Sequence, residues 1–167
     1  MRVRPVPLIL FVLLCLVLAG EAAYFLPMLP DRLATHFDAS GRANGWSSQA
    51  GFRAIIAVLI VIFAAMFAGS GLLRRVPDRF MNLPNKSYWL APDRRDQALA
   101  FISDWVRWFL VMAMSLLTLV IGMVLRANLV TLPRMPDHVL WFLLAYLATT
   151  VAMVVVLVRR FRAPPRL

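Results

Sequence analysis

Chemistry in this 167-residue chain has few side chains to draw on. There are two histidines, His36 and His138, each with an aspartate close by, Asp38 and Asp137. Glu21 stands alone in an otherwise apolar run. Imidazole nitrogens and carboxylate oxygens suit Zn²⁺ or a similar ion. The competing reading is local: His36 bonds within its own loop, Asp137 caps a following helix, and His138 lies among headgroups. No HExxH or CxxC spacing is present, so no metal site is assigned, and His36, Asp38 and His138 stand only as the candidate ligands. No nucleophile-plus-base pair, Gly-rich phosphate loop or cofactor motif occurs, so no catalytic residue and no cofactor are expected. The single cysteine, Cys15, forms no disulfide framework.

The elements that must position these groups follow from composition. The chain is 62% hydrophobic and 16% charged, with 18 Lys+Arg against 8 Asp+Glu and a net charge of +10. Soluble domains run at roughly 45–50% apolar and about 25% charged. The balance excludes an ordinary soluble enzyme domain and a disordered basic tail, and predicts an integral membrane protein. Four stretches approach the roughly 20 apolar residues a membrane helix needs, about 6–26, 54–73, 105–125 and 139–158. The fold class is therefore an all-α, four-span membrane domain covering the whole chain. A first loop (27–53) and a second (74–104) hold most of the remaining residues, and neither is large enough for a well-buried soluble domain.

Basic residues set the orientation. Arg2, Arg4, Arg74, Arg75, Arg79, Lys86, Arg94, Arg95, Arg107, Arg159, Arg160, Arg162 and Arg166 fall on one side, thirteen in all. Arg32, Arg42, Arg53, Arg126 and Arg134 fall on the other. Both termini and the second loop are expected in the cytoplasm, and the first and third loops outside. With four acids on each side, the cytoplasmic side carries +9 and the outer side +1. The charge is mainly a topology signal and does not predict nucleic-acid binding. The N-terminus also has features of a secretory signal peptide, but length and flanks favour an uncleaved first helix.

Glu21 falls near the outer boundary of its span. One reading makes it a bundle-facing acid with a functional role. The other makes it an interfacial acid neutralised by Arg53 or Arg126. Arg126 in turn either snorkels to phosphates or pairs with Glu21 across the bundle.

In the first loop, Pro27 and Pro30 stop the first helix. Asp31 is expected to cap a short turn that sets Leu33 and Phe37 on one side. Asp38, Ser40, Gly41, Asn44 and Gly45 supply turn chemistry, and Trp46 anchors the loop at the interface. This loop is expected to be ordered and held against the membrane. In the second loop, Ala98, Phe101, Ile102 and Trp105 recur at helical spacing after Pro92 and Asp93, predicting an amphipathic lead-in to the third span. Its basic residues favour anionic lipid headgroups. Asn82, Pro84, Asn85, Lys86, Tyr88 and Trp89 form a candidate surface for a cytoplasmic protein partner.

Leu29-Pro30, His36-Phe37-Asp38, Gly41 and Gly45-Trp46-Ser47 together resemble the membrane family called domain of unknown function 1648. That family's first loop carries Leu-Pro, a Pro-x-His-Phe-Asn-like step, a Gly, and an aromatic-Gly-Ser-Lys ending. This chain has Ala34 in place of Pro, Asp38 in place of Asn, and Gln49 near the Lys position. The stretch Asn82 to Lys86, Tyr88 to Pro92 and Arg94-Arg95 is also similar to the family's cytoplasmic loop. The same domain begins bacterial toxin-immunity proteins of the SdpI type, which are longer. The resemblance implies a protein of the bacterial inner membrane that senses or protects against an extracellular peptide or envelope stress. Ligand recognition would then fall to His36, Phe37, Asp38, Gly41 and Trp46. An accessory subunit of a larger membrane complex and a metal-dependent membrane enzyme are the alternative readings.

Overall fold

The computed structural model describes residues 5–162. The chain forms α1 (Pro5–Phe25), a hairpin of β1 (Arg32–Phe37) and β2 (Ala43–Ser48), α2 (Gln49–Gly69), a short helix α3 (Lys86–Trp89), α4 (Arg95–Ala127) and α5 (Val139–Arg162). The four long helices, α1, α2, α4 and α5, are long and apolar enough to cross a membrane. Their positions follow the four apolar runs, since in hydrocarbon only a helix satisfies every backbone group within one segment.

The boundaries differ from the apolar runs where polar chemistry decides them. α2 begins at Gln49, ahead of the uncharged run that starts at Ala54, because the Ser48 hydroxyl accepts from the Gly51 N–H at 3.0 Å and caps the helix. α4 runs for 33 residues, about 50 Å, against a hydrocarbon core of about 30 Å. The predicted amphipathic lead-in is thus the first part of one continuous helix.

α4 is the central element. Its buried residues include Leu110, Met114, Ile121 and Leu125, which pack against Phe11 and Leu18 of α1 and Phe52, Ile56 and Phe67 of α2. Phe11 and Phe67 stack with ring centroids 4.6 Å apart. α5 lies at the edge: most of its large apolar residues are exposed, and Trp105 of α4 donates to its Met153 carbonyl at 3.0 Å.

The first loop departs from the all-α expectation. Arg32–Phe37 is a strand and not a capped helical turn, paired antiparallel with Ala43–Ser48. The ladder has irregularities around His36, so its side-chain alternation is broken and the Leu33–Phe37 spacing imitates a helix. Leu33 and Ala34 are fully buried, and β2 alternates, turning Asn44, Trp46 and Ser48 outward.

One side chain fastens this hairpin to the bundle. Asn128, which ends α4, is buried. Its Oδ1 accepts from the Ala34 N–H at 2.8 Å, and its Nδ2 donates to the Ala34 carbonyl at 2.9 Å and to the Val124 carbonyl at 2.8 Å. The amide occupies the place a neighbouring strand would take along β1. It also explains Ala34, since proline at that position would lack the donated N–H.

Replacing Asn128 strands both backbone groups of Ala34 in a buried site, and each orphaned group costs about 1–3 kcal/mol. Asn128→Ala and the bulkier Asn128→Leu should both destabilise the protein by about 2–4 kcal/mol in detergent unfolding. Both should speed hydrogen exchange at Ala34. A loss confined to Asn128→Ala would assign the effect to packing instead.

Candidate functional site

The hairpin end of the bundle gathers three polar arrangements. The first is the hairpin turn. The Asp38 Oδ1 accepts from the Ser40 hydroxyl at 2.7 Å, the Ser40 N–H at 2.8 Å and the Arg42 N–H at 2.9 Å. These donors, the Ser40 hydroxyl foremost, hold the exposed Asp38 carboxyl below its ordinary range. Gly41 has φ +76°, and a Cβ there would lie 2.7 Å from the Met135 carbonyl oxygen. The Met135 N–H donates to the Gly41 carbonyl at 2.9 Å, and Arg42 bridges antiparallel to Arg134, so the loop between α4 and α5 extends the hairpin. Gly45 faces His36 across the ladder, and a Cβ on it would come within 2.7 Å of the His36 Cβ. The glycine makes room for the imidazole. His36 and Trp46 are exposed, while Phe37 is half-buried and packs on the core. The Arg32 guanidinium lies 5.9 Å from the Trp46 ring.

The second arrangement is an ion pair. The Arg126 Nη2 donates to the Glu21 Oε1 at 2.8 Å. Glu21 is mostly buried, and Arg126 is half-exposed. The pair joins α1 to α4, and Phe25, one turn beyond Glu21, lies under the Arg126 guanidinium at 4.9 Å. Gly122, one turn before Arg126, opens the space: a Cβ there would meet the Glu21 Oε2 and the Arg126 Nη1 at 2.7 Å each. Of the two readings of Arg126, the structure has the pairing across the bundle.

The third arrangement is centred on Gln49. Its Nε2 donates to the Leu26 carbonyl at 2.6 Å and the Leu29 carbonyl at 3.2 Å, and its Oε1 accepts from the Arg53 guanidinium. It ties the end of α1 to the start of α2.

The metal candidates do not assemble. Among the described residues no group of three or more His, Cys, Asp or Glu is placed to hold an ion. Asp38 is spent on the turn, Asp137 lies 3.7 Å from Arg134, and His138 packs edge-on against Phe142 with centroids 5.8 Å apart.

At the opposite end, Asn85 and Trp89 are occupied within the chain. The Asn85 Nδ2 donates to the Phe161 and Arg162 carbonyls at 3.2 and 2.8 Å, and the Trp89 Nε1 donates to the Phe161 carbonyl at 2.9 Å. These bonds satisfy the final carbonyls of α5. Asn85 adopts a left-handed conformation, φ 51°, and Trp89 and Phe161 are buried edge to face. Asn82 and Pro84 stay exposed, and Lys86 and Tyr88 are half-exposed. Nearby, Arg95 pairs with Asp78 at 2.9 Å and donates to the Arg74 and Val76 carbonyls, which fastens this loop to α4.

Gly122 and Gln49 had no role assigned from the sequence, nor did the pairing of Asn128 with Ala34. A glycine one turn before a lone arginine in an apolar span was the available signal for Gly122. An asparagine just past a helix end was the signal for Asn128.

Four membrane-crossing helices with an ordered hairpin fastened over one end define a multi-pass membrane protein. The model of the family Domain of unknown function (DUF1648) matches residues 10–62, and this segment belongs to that domain family. The match takes in Glu21, the hairpin, Gln49 and Arg53; Gly122, Arg126, Asn128 and Met135, which hold it, lie outside, as does Asn82–Arg95. No curated protein and no solved structure matches the chain.

Two outcomes follow from this geometry. Gly122→Val should cost about 1–3 kcal/mol by overpacking, and most of that loss should vanish in a Glu21→Ala background. Thermal unfolding of the parent, the two single variants and the double variant in detergent measures this coupling. For Asp38, a folded pKa below the unfolded value stabilises the turn above about pH 4 and is lost as pH falls through the folded pKa. The protection of the Ser40 and Arg42 amides, taken against the intrinsic exchange rate at each pH, should therefore fall on acidification below about pH 4, and Asp38→Asn should abolish that dependence.

Proposed function

We propose that the protein is a non-catalytic sensor or protective protein of the bacterial inner membrane, with an SdpI-like immunity or signalling role. The hairpin is its recognition surface for an extracellular peptide or an envelope-stress signal. The observation that carries this reading is the pinning of an exposed His36 and Trp46 on a small sheet fixed by Asn128 and Met135. A preorganised surface loses little conformational entropy on binding. Phe37 anchors that surface on the core, and Asp38 and Gly41 fix its turn. The thirteen basic residues assigned to the other side support an orientation with both termini in the cytoplasm. On the cytoplasmic side, basic residues meet anionic headgroups, and Asn82, Pro84, Lys86 and Tyr88 face a protein partner.

The exposed apolar face of α5 favours a second reading, an accessory subunit of a larger membrane complex. Co-purification of a fixed-stoichiometry partner in mild detergent distinguishes it.

Under the first reading, replacing His36 and Phe37 should abolish protection or signalling while membrane levels stay at those of the parent. An impermeant maleimide should label Ser40→Cys in intact cells. Variants that protect or signal like the parent would refute the role of the hairpin.

A further inference from the structure

We propose that the furrow between α1 and α2 binds one phospholipid, with an acyl chain along its floor and an anionic headgroup on Arg53. The furrow has a volume of about 450 Å³. Ala19, Ala22 and Ala23 of α1 form one wall, and Ala57 and Ile60 of α2 form the other. Alanine at these positions leaves a channel where larger side chains would interlock. α1 packs closely on α4 and only lightly on α2, and the stacked Phe11 and Phe67 join α1 and α2 at their far ends. The lined portion of α2, from Arg53 to Ile60, extends about 10 Å along the helix.

The occupant follows from the lining. The walls are helical, so their backbone N–H and C=O groups are already paired within each helix. A peptide in this furrow would bury polar backbone groups with nothing to bond, at several kcal/mol each. A hydrocarbon chain carries no such groups. At the rim stands the exposed Arg53, and among the described residues no carboxylate lies within ion-pair distance of it. Its one hydrogen bond goes to the Gln49 Oε1, whose own amide nitrogen is anchored on the Leu26 and Leu29 carbonyls. Gln49 thus holds the guanidinium in place while the remaining donors of the fork face outward. A guanidinium fork matches phosphate oxygens in geometry and charge. The apolar channel with a fixed cation at one end complements an amphiphile whose anionic group sits at one end. This site stands apart from the recognition reading, since it uses neither His36 nor Trp46.

The test uses the full chain in mild detergent, titrated with phosphatidylglycerol or phosphatidylcholine of the same acyl length and read by native mass spectrometry. The parent should retain one phosphatidylglycerol, bound about tenfold more tightly than phosphatidylcholine. Arg53→Gln should abolish that preference, weakening phosphatidylglycerol more than phosphatidylcholine, whose choline already offsets its phosphate charge. Ala57→Trp, whose indole projects from the α2 wall into the channel, should weaken both lipids about tenfold. Equal binding of the two lipids by the parent overturns the proposal, as does a preference that survives Arg53→Gln. A parent dimer that Ala57→Trp dissolves also overturns it, because the furrow would then hold a second copy. Arg53 is exposed and outside the packed core, so Arg53→Gln remains decisive even if Ala57→Trp fails to fold.

Discussion

The side-chain amide of Asn128 is the joint on which the hairpin end of this protein depends. A two-stranded hairpin is marginal in water, and its edges offer unpaired backbone groups. Asn128 meets both hydrogen-bonding groups of Ala34 and is itself fixed through the Val124 carbonyl. An asparagine can do this because its amide presents a donor and an acceptor side by side, as a peptide unit does. The hairpin thereby becomes an extension of α4. Met135 reinforces it from the next loop, and the left-handed Gly41 lets that backbone approach.

The same economy recurs at the other end. There the open ends are the last carbonyls of α5, which Asn85 and Trp89 cap from far away in the sequence. Buried Phe161 fills the space between Trp89 and Phe101. In both places a side chain from a distant segment completes a backbone that would otherwise stop unsatisfied. Ala34, Asn128 and Phe161 are all buried, so a backbone group left unpaired beside them would carry its full desolvation cost.

The helices were legible because about twenty mostly apolar residues with at most one charge admit few other structures in this composition. The hairpin was not legible as strands. Arg-Leu-Ala-Thr-His-Phe lacks clean alternation, since the ladder is irregular at His36 and both Leu33 and Ala34 face inward. What pins the segment lies 94 residues away at Asn128, beyond any local pattern. Glu21 was conspicuous as an isolated acid in an apolar run, and Arg126 was among the few partners available to it. The vacancy left by Gly122 depends on helix phase and crossing, which spacing alone does not supply. At the other end, Trp89 and Asn85 looked like surface residues because the helix they cap arrives only in three dimensions.

The length of α4 has a mechanical consequence. Between Arg95 and Ala127 there is no proline, so the helix lacks the residue that most often kinks a long helix, and it runs unbroken over its whole length. Its first turn is clamped to the loop at Asp78, and its end carries the hairpin through Asn128. A stiff rod gripped at both ends cannot be displaced at one without moving the other. Any tilt imposed on the hairpin must reappear, reversed in direction, at the opposite end of the helix, where Arg95 meets Asp78.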